Sequence, residues 1–179
     1  PYKVAASTTL LPKANVSGFP SSAAGALGVD GANLVASPQD VLRDFTASVK
    51  YPSPATAKLL ADDPFTSALR QNAKSQATAL GNTGVLGQSH TPGVILGGVT
   101  LTGDNGTLVF MTAKRVDEIA LREATAVTPS VEFQILAKLK QFKTEASFTT
   151  DEVIAVVIPK AGKARIVARS EQMIAAYGH

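Results

Sequence analysis

Near Gly84 the spacing of apolar residues changes, and the new spacing persists to the end of the chain. Before that point apolar residues recur at helical intervals; after it they recur mostly at every second position. A chain that places helices first and strands afterwards builds a helical layer on one antiparallel sheet, which is the α+β class.

Two helix starts precede the switch. Ser37-Pro38-Gln39-Asp40 supplies a capping hydroxyl, a proline preset for the first turn, and an acid at the positive helix end. Val41, Leu42, Phe45 and Val49 follow on one face, and Tyr51-Pro52-Ser53-Pro54 ends the helix. Asp63-Pro64 opens the second helix, in which Phe65, Ala68, Leu69, Ala73, Ala77 and Leu80 keep helical spacing up to Gly81. Asp62 and Asp63 are not read as metal ligands, because capping accounts for Asp63.

Beyond Gly84, residues 94–102 predict a strand with a bulge at Gly97-Gly98, followed by a tight turn at Asp104-Asn105-Gly106. A long strand over 107–122 returns. Val131, Phe133, Ile135, Ala137 and Leu139 alternate with Glu132, Gln134, Lys138 and Lys140, predicting a strand with one buried face. Residues 149–158 read as a central strand, 165–169 as the last strand, and 170–177 as a short tail. Residues 2–11 also read as a strand. The expected organisation is a strand over 1–12 contributed by a preceding module, a Ser/Ala/Gly/Pro-rich linker over 13–36, and an α+β domain over 37–179. Two helices on a bent sheet of about four to six strands form a cone of the cystatin-like or nuclear-transport-factor-2-like kind, an analogy of fold that carries no activity.

Composition narrows the function. A net charge of +3, from 17 basic and 14 acidic residues, is too mild for nucleic-acid binding, which calls for a concentrated basic stripe. The chain has no cysteine, which removes disulfides, thiolate chemistry and cysteine-ligated zinc. No apolar run reaches the length of about 18 residues that a spanning helix needs.

No catalytic constellation stands out, and no cofactor or metal is implied. His90, expected in a loop before a strand, has Ser89 beside it in sequence, which is the wrong geometry for a nucleophile and base. A cone can carry proton transfer on one buried carboxylate, and Asp117, Glu118 and Glu132 are the candidates. The plainer reading makes them wet strand residues facing Arg115, Arg122 or Lys138. A pocket for a small molecule would draw on Phe110, Phe133, Ile135 and Phe142. Positive charge gathers late in the chain, at Lys138, Lys140, Lys143, Lys160, Lys163, Arg165 and Arg169. If strands assemble them, Lys138, Lys140, Lys163, Arg165 and Arg169 form a binding surface for an anionic envelope polymer or lipid headgroup. Gly93-Val94-Ile95-Leu96-Gly97-Gly98 lacks the ending of a phosphate loop.

Pro1-Tyr2-Lys3-Val4-Ala5-Ala6-Ser7-Thr8-Thr9-Leu10-Leu11-Pro12, Leu34-Val35-Ala36-Ser37-Pro38-Gln39-Asp40-Val41 and the run from Leu60 through Asp62-Asp63-Pro64-Phe65 to Ala73 together carry a resemblance. The chain resembles uncharacterised exported actinobacterial proteins of the lipoprotein or membrane-anchored kind. The resemblance implies an extracellular or cell-envelope location and a further region N-terminal to this one. It brings no catalytic residues. The expected function is therefore a non-enzymatic binding or scaffolding domain of the envelope, with a small-molecule carrier or a proton-transfer enzyme as the alternative.

Overall fold

Ser37 and Asp63 act as the helix caps that their neighbours call for. In the computed structural model, which describes residues 7–19, 33–102, 106–122 and 125–179, the Ser37 hydroxyl accepts from the Asp40 amide at the head of α1 (Pro38–Ser48). The Asp63 carboxylate accepts from the Thr66 amide at the head of α2 (Pro64–Leu80). Asp44 ties α1 to the segment before α2, its carboxylate accepting from the amides of Lys58, Leu59 and Leu60.

The strands are β1 (Thr9–Leu10), β2 (Gly84–Thr100), β3 (Thr107–Leu121), β4 (Glu145–Ile158) and β5 (Arg165–Gly178). They form one antiparallel open sheet in the order β1-β5-β4-β3-β2, so the α+β class holds. The expected strand over 94–102 starts ten residues earlier, and His90 lies inside it rather than in a loop. Its pairing with β3 shifts register twice between Pro92 and Gly97, close to the expected bulge. Gly93 is required there, since a Cβ would stand 2.3 Å from the Thr112 hydroxyl oxygen. Asp104 and Asn105 of the expected turn lie outside the described residues, but the Thr100–Thr107 pairing on either side makes the hairpin.

Three expectations are corrected. The segment expected as the clearest strand is a helix, α3 (Val131–Ala137), opened by the Ser130 hydroxyl accepting from the Phe133 amide and closed by Lys138 in a left-handed conformation. The helices are therefore not segregated before the strands; α3 interrupts the meander between β3 and β4. The expected tail over 170–177 is the second half of β5 and pairs along β4 as far as Gly178. The described part of the first strand pairs in this sheet, Thr9 with Arg169 and Leu10 with Ala168. Residues 20–32 of the expected linker lie outside the described residues.

Alternate residues of each strand face the helices. On β3 these are Val109, Met111 and Ala113, then Arg115 and Asp117, then Ile119 and Leu121; on β4, Val156, Ile154 and Glu152 stand opposite the first three, Thr150 and Phe148 opposite the next two, and Ala146 opposite Ile119. The helix-covered face thus has three zones. At one end Val41, Leu42, Phe45 and Val49 of α1 and Phe65 and Leu69 of α2 pack on Val109, Met111, Ile154 and Val156. At the other end Phe133 of α3 packs with Phe142 and Ala146. Phe133 meets Phe142 and Phe148 at centroid distances of 6.0 and 6.2 Å. The middle zone is polar. On the opposite face Ala14 and Val16 cover Leu108, Ala155, Val157 and Val167. No helix among the described residues is long and apolar enough to cross a membrane.

Phe45 is fully buried and touches both the α2 aromatic Phe65 and His90. Phe45→Ala is expected to cost about 3–5 kcal/mol in urea unfolding. Ile135→Ala, at a position 70% exposed, should stay within about 0.5 kcal/mol. Similar losses for the two would contradict this packing.

Candidate functional site

The polar middle zone lies where β2, β3, β4 and β5 pass under α2. His90, Gln88, Asp117 and Glu152 are each at most 7% exposed. Arg115, opposite His90 on β2 and Thr150 on β4, is the hub. Its guanidinium donates to Asp117 at 2.9 Å, Glu152 at 3.3 Å, Glu171 at 2.8 Å and the Thr150 hydroxyl at 3.4 Å. The second oxygen of Glu152 meets His90 Nδ1 at 3.1 Å. His90 Nε2 lies 3.3 Å from Gln88 Oε1, and the Gln88 amide donates to Asp117. A continuous relay therefore runs Glu152, His90, Gln88, Asp117, Arg115 and back to Glu152. Among the described residues no buried polar side-chain atom lacks a partner.

Burial pushes the Asp117 carboxyl above its ordinary value, against the opposing pull of the Arg115 charge, the Gln88 hydrogen bond and His90. The charges of the cluster are uneven. Three carboxylates (Asp117, Glu152, Glu171) face two guanidiniums (Arg115, Arg169). One added proton brings the sum to zero. The His90 ring nitrogens lie within hydrogen-bond distance of Glu152 and Gln88 oxygens, and a flipped Gln88 amide suits a protonated Asp117.

A cavity of about 180 Å³ opens beside the relay, between α2 and the sheet, lined by Phe65, Asn72, Gln76, Arg115, Asp117 and Glu171 among others. A groove of about 690 Å³ shares Phe65, Ala68, Arg169 and Glu171 with it and extends to Thr9–Leu10 and Pro64. Among the described residues no group of His, Asp and Glu is placed to hold a metal ion.

The sequence candidates fare unevenly. His90 and Asp117 are brought into one site. Glu132 is exposed in the first turn of α3, not on a strand, and Glu118 is exposed on the other face of β3. Neither is a buried carboxylate. The five-residue basic surface does not assemble. Lys138 and Lys140 follow α3, beside the Gly178 end of β5, whereas Lys163 and Arg165 lie at its beginning, about 40 Å away along the strand. Arg169 turns inward, 4.7 Å over the Phe65 ring and joined to Glu171. The aromatic pocket also fails to converge: Phe133 and Phe142 fill one core, Phe110 borders another, and Ile135 is exposed. Glu152, Gln88 and Glu171 went unrecognised as site residues. Glu152 had a signal, since it stands two and four places before Ile154 and Val156 and shares their buried face.

No protein-family model, no curated protein and no solved structure matches the chain.

Two outcomes follow from the burial of this cluster. Glu152→Ala leaves His90 Nδ1 without its buried partner, while Arg115 keeps Asp117 and Glu171, and is expected to cost about 1–3 kcal/mol. Glu171→Ala, whose side chain is 23% exposed, should cost clearly less; equal losses would argue against the buried role. The folded chain also holds the Asp117 proton to higher pH than the unfolded chain does. The stability this gives is complete below the unfolded value of about 3.9 and is lost as pH rises through the raised folded value. Asp117→Asn keeps the neutral shape at every pH. Urea midpoints measured from pH 4 upward should show the wild type losing ground to the variant, and a gap that is constant or widens in the wild type's favour would overturn the assignment.

Proposed function

We propose that this chain is a non-enzymatic binding or scaffolding domain of the bacterial cell envelope, exported from the cell, with helices and sheet arranged as in the cystatin-like and nuclear-transport-factor-2-like cones. The observation that carries the reading is the mutual satisfaction of the buried polar groups. Arg115 is already met by three carboxylates and His90 by two oxygens, so the site offers a substrate no unpaired reactive group. The cavity beside it is small, at about 180 Å³, and adjoins the groove of about 690 Å³. The envelope location rests on the sequence resemblance alone.

One observation favours the second reading, a carrier or proton-transfer enzyme. Asp117 lines the cavity with Arg115 and Gln88, and its carboxyl is pushed up by burial, as a general acid or base requires. A substrate that displaced Gln88 or Glu171 would reach it.

The two readings separate on one variant. Purified wild type and Asp117→Asn should sediment equally with isolated bacterial envelopes, because the binding surface lies outside the relay. Loss of binding in a folded Asp117→Asn variant would transfer the function to the cavity. Fractionation of cells expressing the native gene should place the protein outside the cytoplasm; a cytoplasmic pool alone would end the envelope reading.

A further inference from the structure

The excursion between β3 and β4 is held firmly on one side and left open on the other. Val127 and Phe142 exchange two backbone hydrogen bonds, 2.9 and 3.1 Å long, that close its base. Phe133 and Phe142, each 2% exposed, anchor α3 to the sheet. The outer side carries Val131 at 71% exposure, Ile135 at 70% and Leu136 at 38%. Val131 and Ile135 are one helical turn apart and share a face. Lys138, Lys140 and Lys143 follow at once, all exposed, and none has an ion-pair partner among the described residues. Between residues 125 and 144 the only acid is Glu132.

This composition selects among partners. Protein interfaces are enriched in aromatic residues and arginine and depleted in lysine. Here the exposed residues are aliphatic and the charges are lysines. A short apolar helix face bordered by flexible cations matches a bilayer surface, where aliphatic side chains enter the acyl boundary and lysines reach anionic headgroups. Exposed apolar residues on an anchored helix also enter at little conformational cost, because the backbone is already ordered.

We infer that the α3 excursion is a membrane-docking tip that seats Val131, Ile135 and Leu136 in an anionic lipid surface, with Lys138, Lys140 and Lys143 on the headgroups. The inference deepens the envelope-binding reading and rests on it, naming the partner as anionic lipid.

The test is sedimentation of the whole chain with vesicles of phosphatidylcholine containing about one-third phosphatidylglycerol, beside vesicles of phosphatidylcholine alone. Binding is expected to the anionic vesicles, weakening as salt is raised. Ile135→Glu should abolish it, and each of Lys138→Gln, Lys140→Gln and Lys143→Gln should weaken it about fivefold. All four positions are exposed, so the variants should keep the wild-type far-ultraviolet spectrum and melting midpoint. No binding, or binding unaffected by Ile135→Glu in the folded variant, overturns the inference. So does a dimer in lipid-free solution that Ile135→Glu dissociates, which would make the face a self-association surface. If vesicles fail while envelopes deplete of lipid by detergent still retain the protein, the docking tip falls and the binding domain stands. Failure on both falls on the underlying reading.

Discussion

A guanidinium held largely buried under a helix must be met by negative charge, and Arg115 draws that charge from the strands around it. Its partners come from three strands: Asp117 from β3 itself, Glu152 and Thr150 from β4, and Glu171 from β5. His90 and Gln88 extend the network to β2. A slip of one residue between β3 and β4 would turn Glu152 and Thr150 to the other face, and a slip between β4 and β5 would do the same to Glu171, leaving Arg115 with fewer partners. An apolar zone tolerates many packings, whereas this zone admits one. The network therefore acts as a register lock between two apolar cores, whatever else the cluster does.

The charge balance gives the lock a further property. Two guanidiniums face three carboxylates, one negative charge in excess, and Gln88 bridges His90 and Asp117 within the cluster. Glu152 is thus connected to Asp117 through His90 and Gln88 by hydrogen bonds alone.

The helices α1 and α2 and the long strand β3 were legible because caps, prolines and periodicity agreed there. The register lock was half legible. Asp117 and His90 drew attention as residue types, but their meeting depended on β2 beginning at Gly84, and residues 84–93 dilute the strand formers Val85 and Thr91 with three glycines, a serine and a proline. α3 was misread for a different reason. Its alternation of Val131, Phe133 and Ile135 looks like a strand with one buried face, yet only Phe133 is buried. Pattern reading assumes that apolar residues mark the inside. Where they lie outside, the period misleads, and the Ser130 cap was the signal that outranked it. The scattering of the expected basic surface has a plain cause as well: Lys138 and Lys140 sit by the Gly178 end of β5 and Lys163 and Arg165 at its start, and an extended strand holds its ends far apart.

The strand order carries a consequence for how the chain assembles. From β2 to β5 each strand lies beside its predecessor in sequence, so the meander can zip from local hairpins. β1 breaks this order, since Thr9–Leu10 joins β5 at the far edge through Arg169 and Ala168. Closing a loop of nearly the whole chain costs entropy that two paired residues repay poorly until the rest of the sheet exists. β1 therefore gains its place only once β5 stands in the sheet, and there it borders the groove beside Phe65 and Arg169.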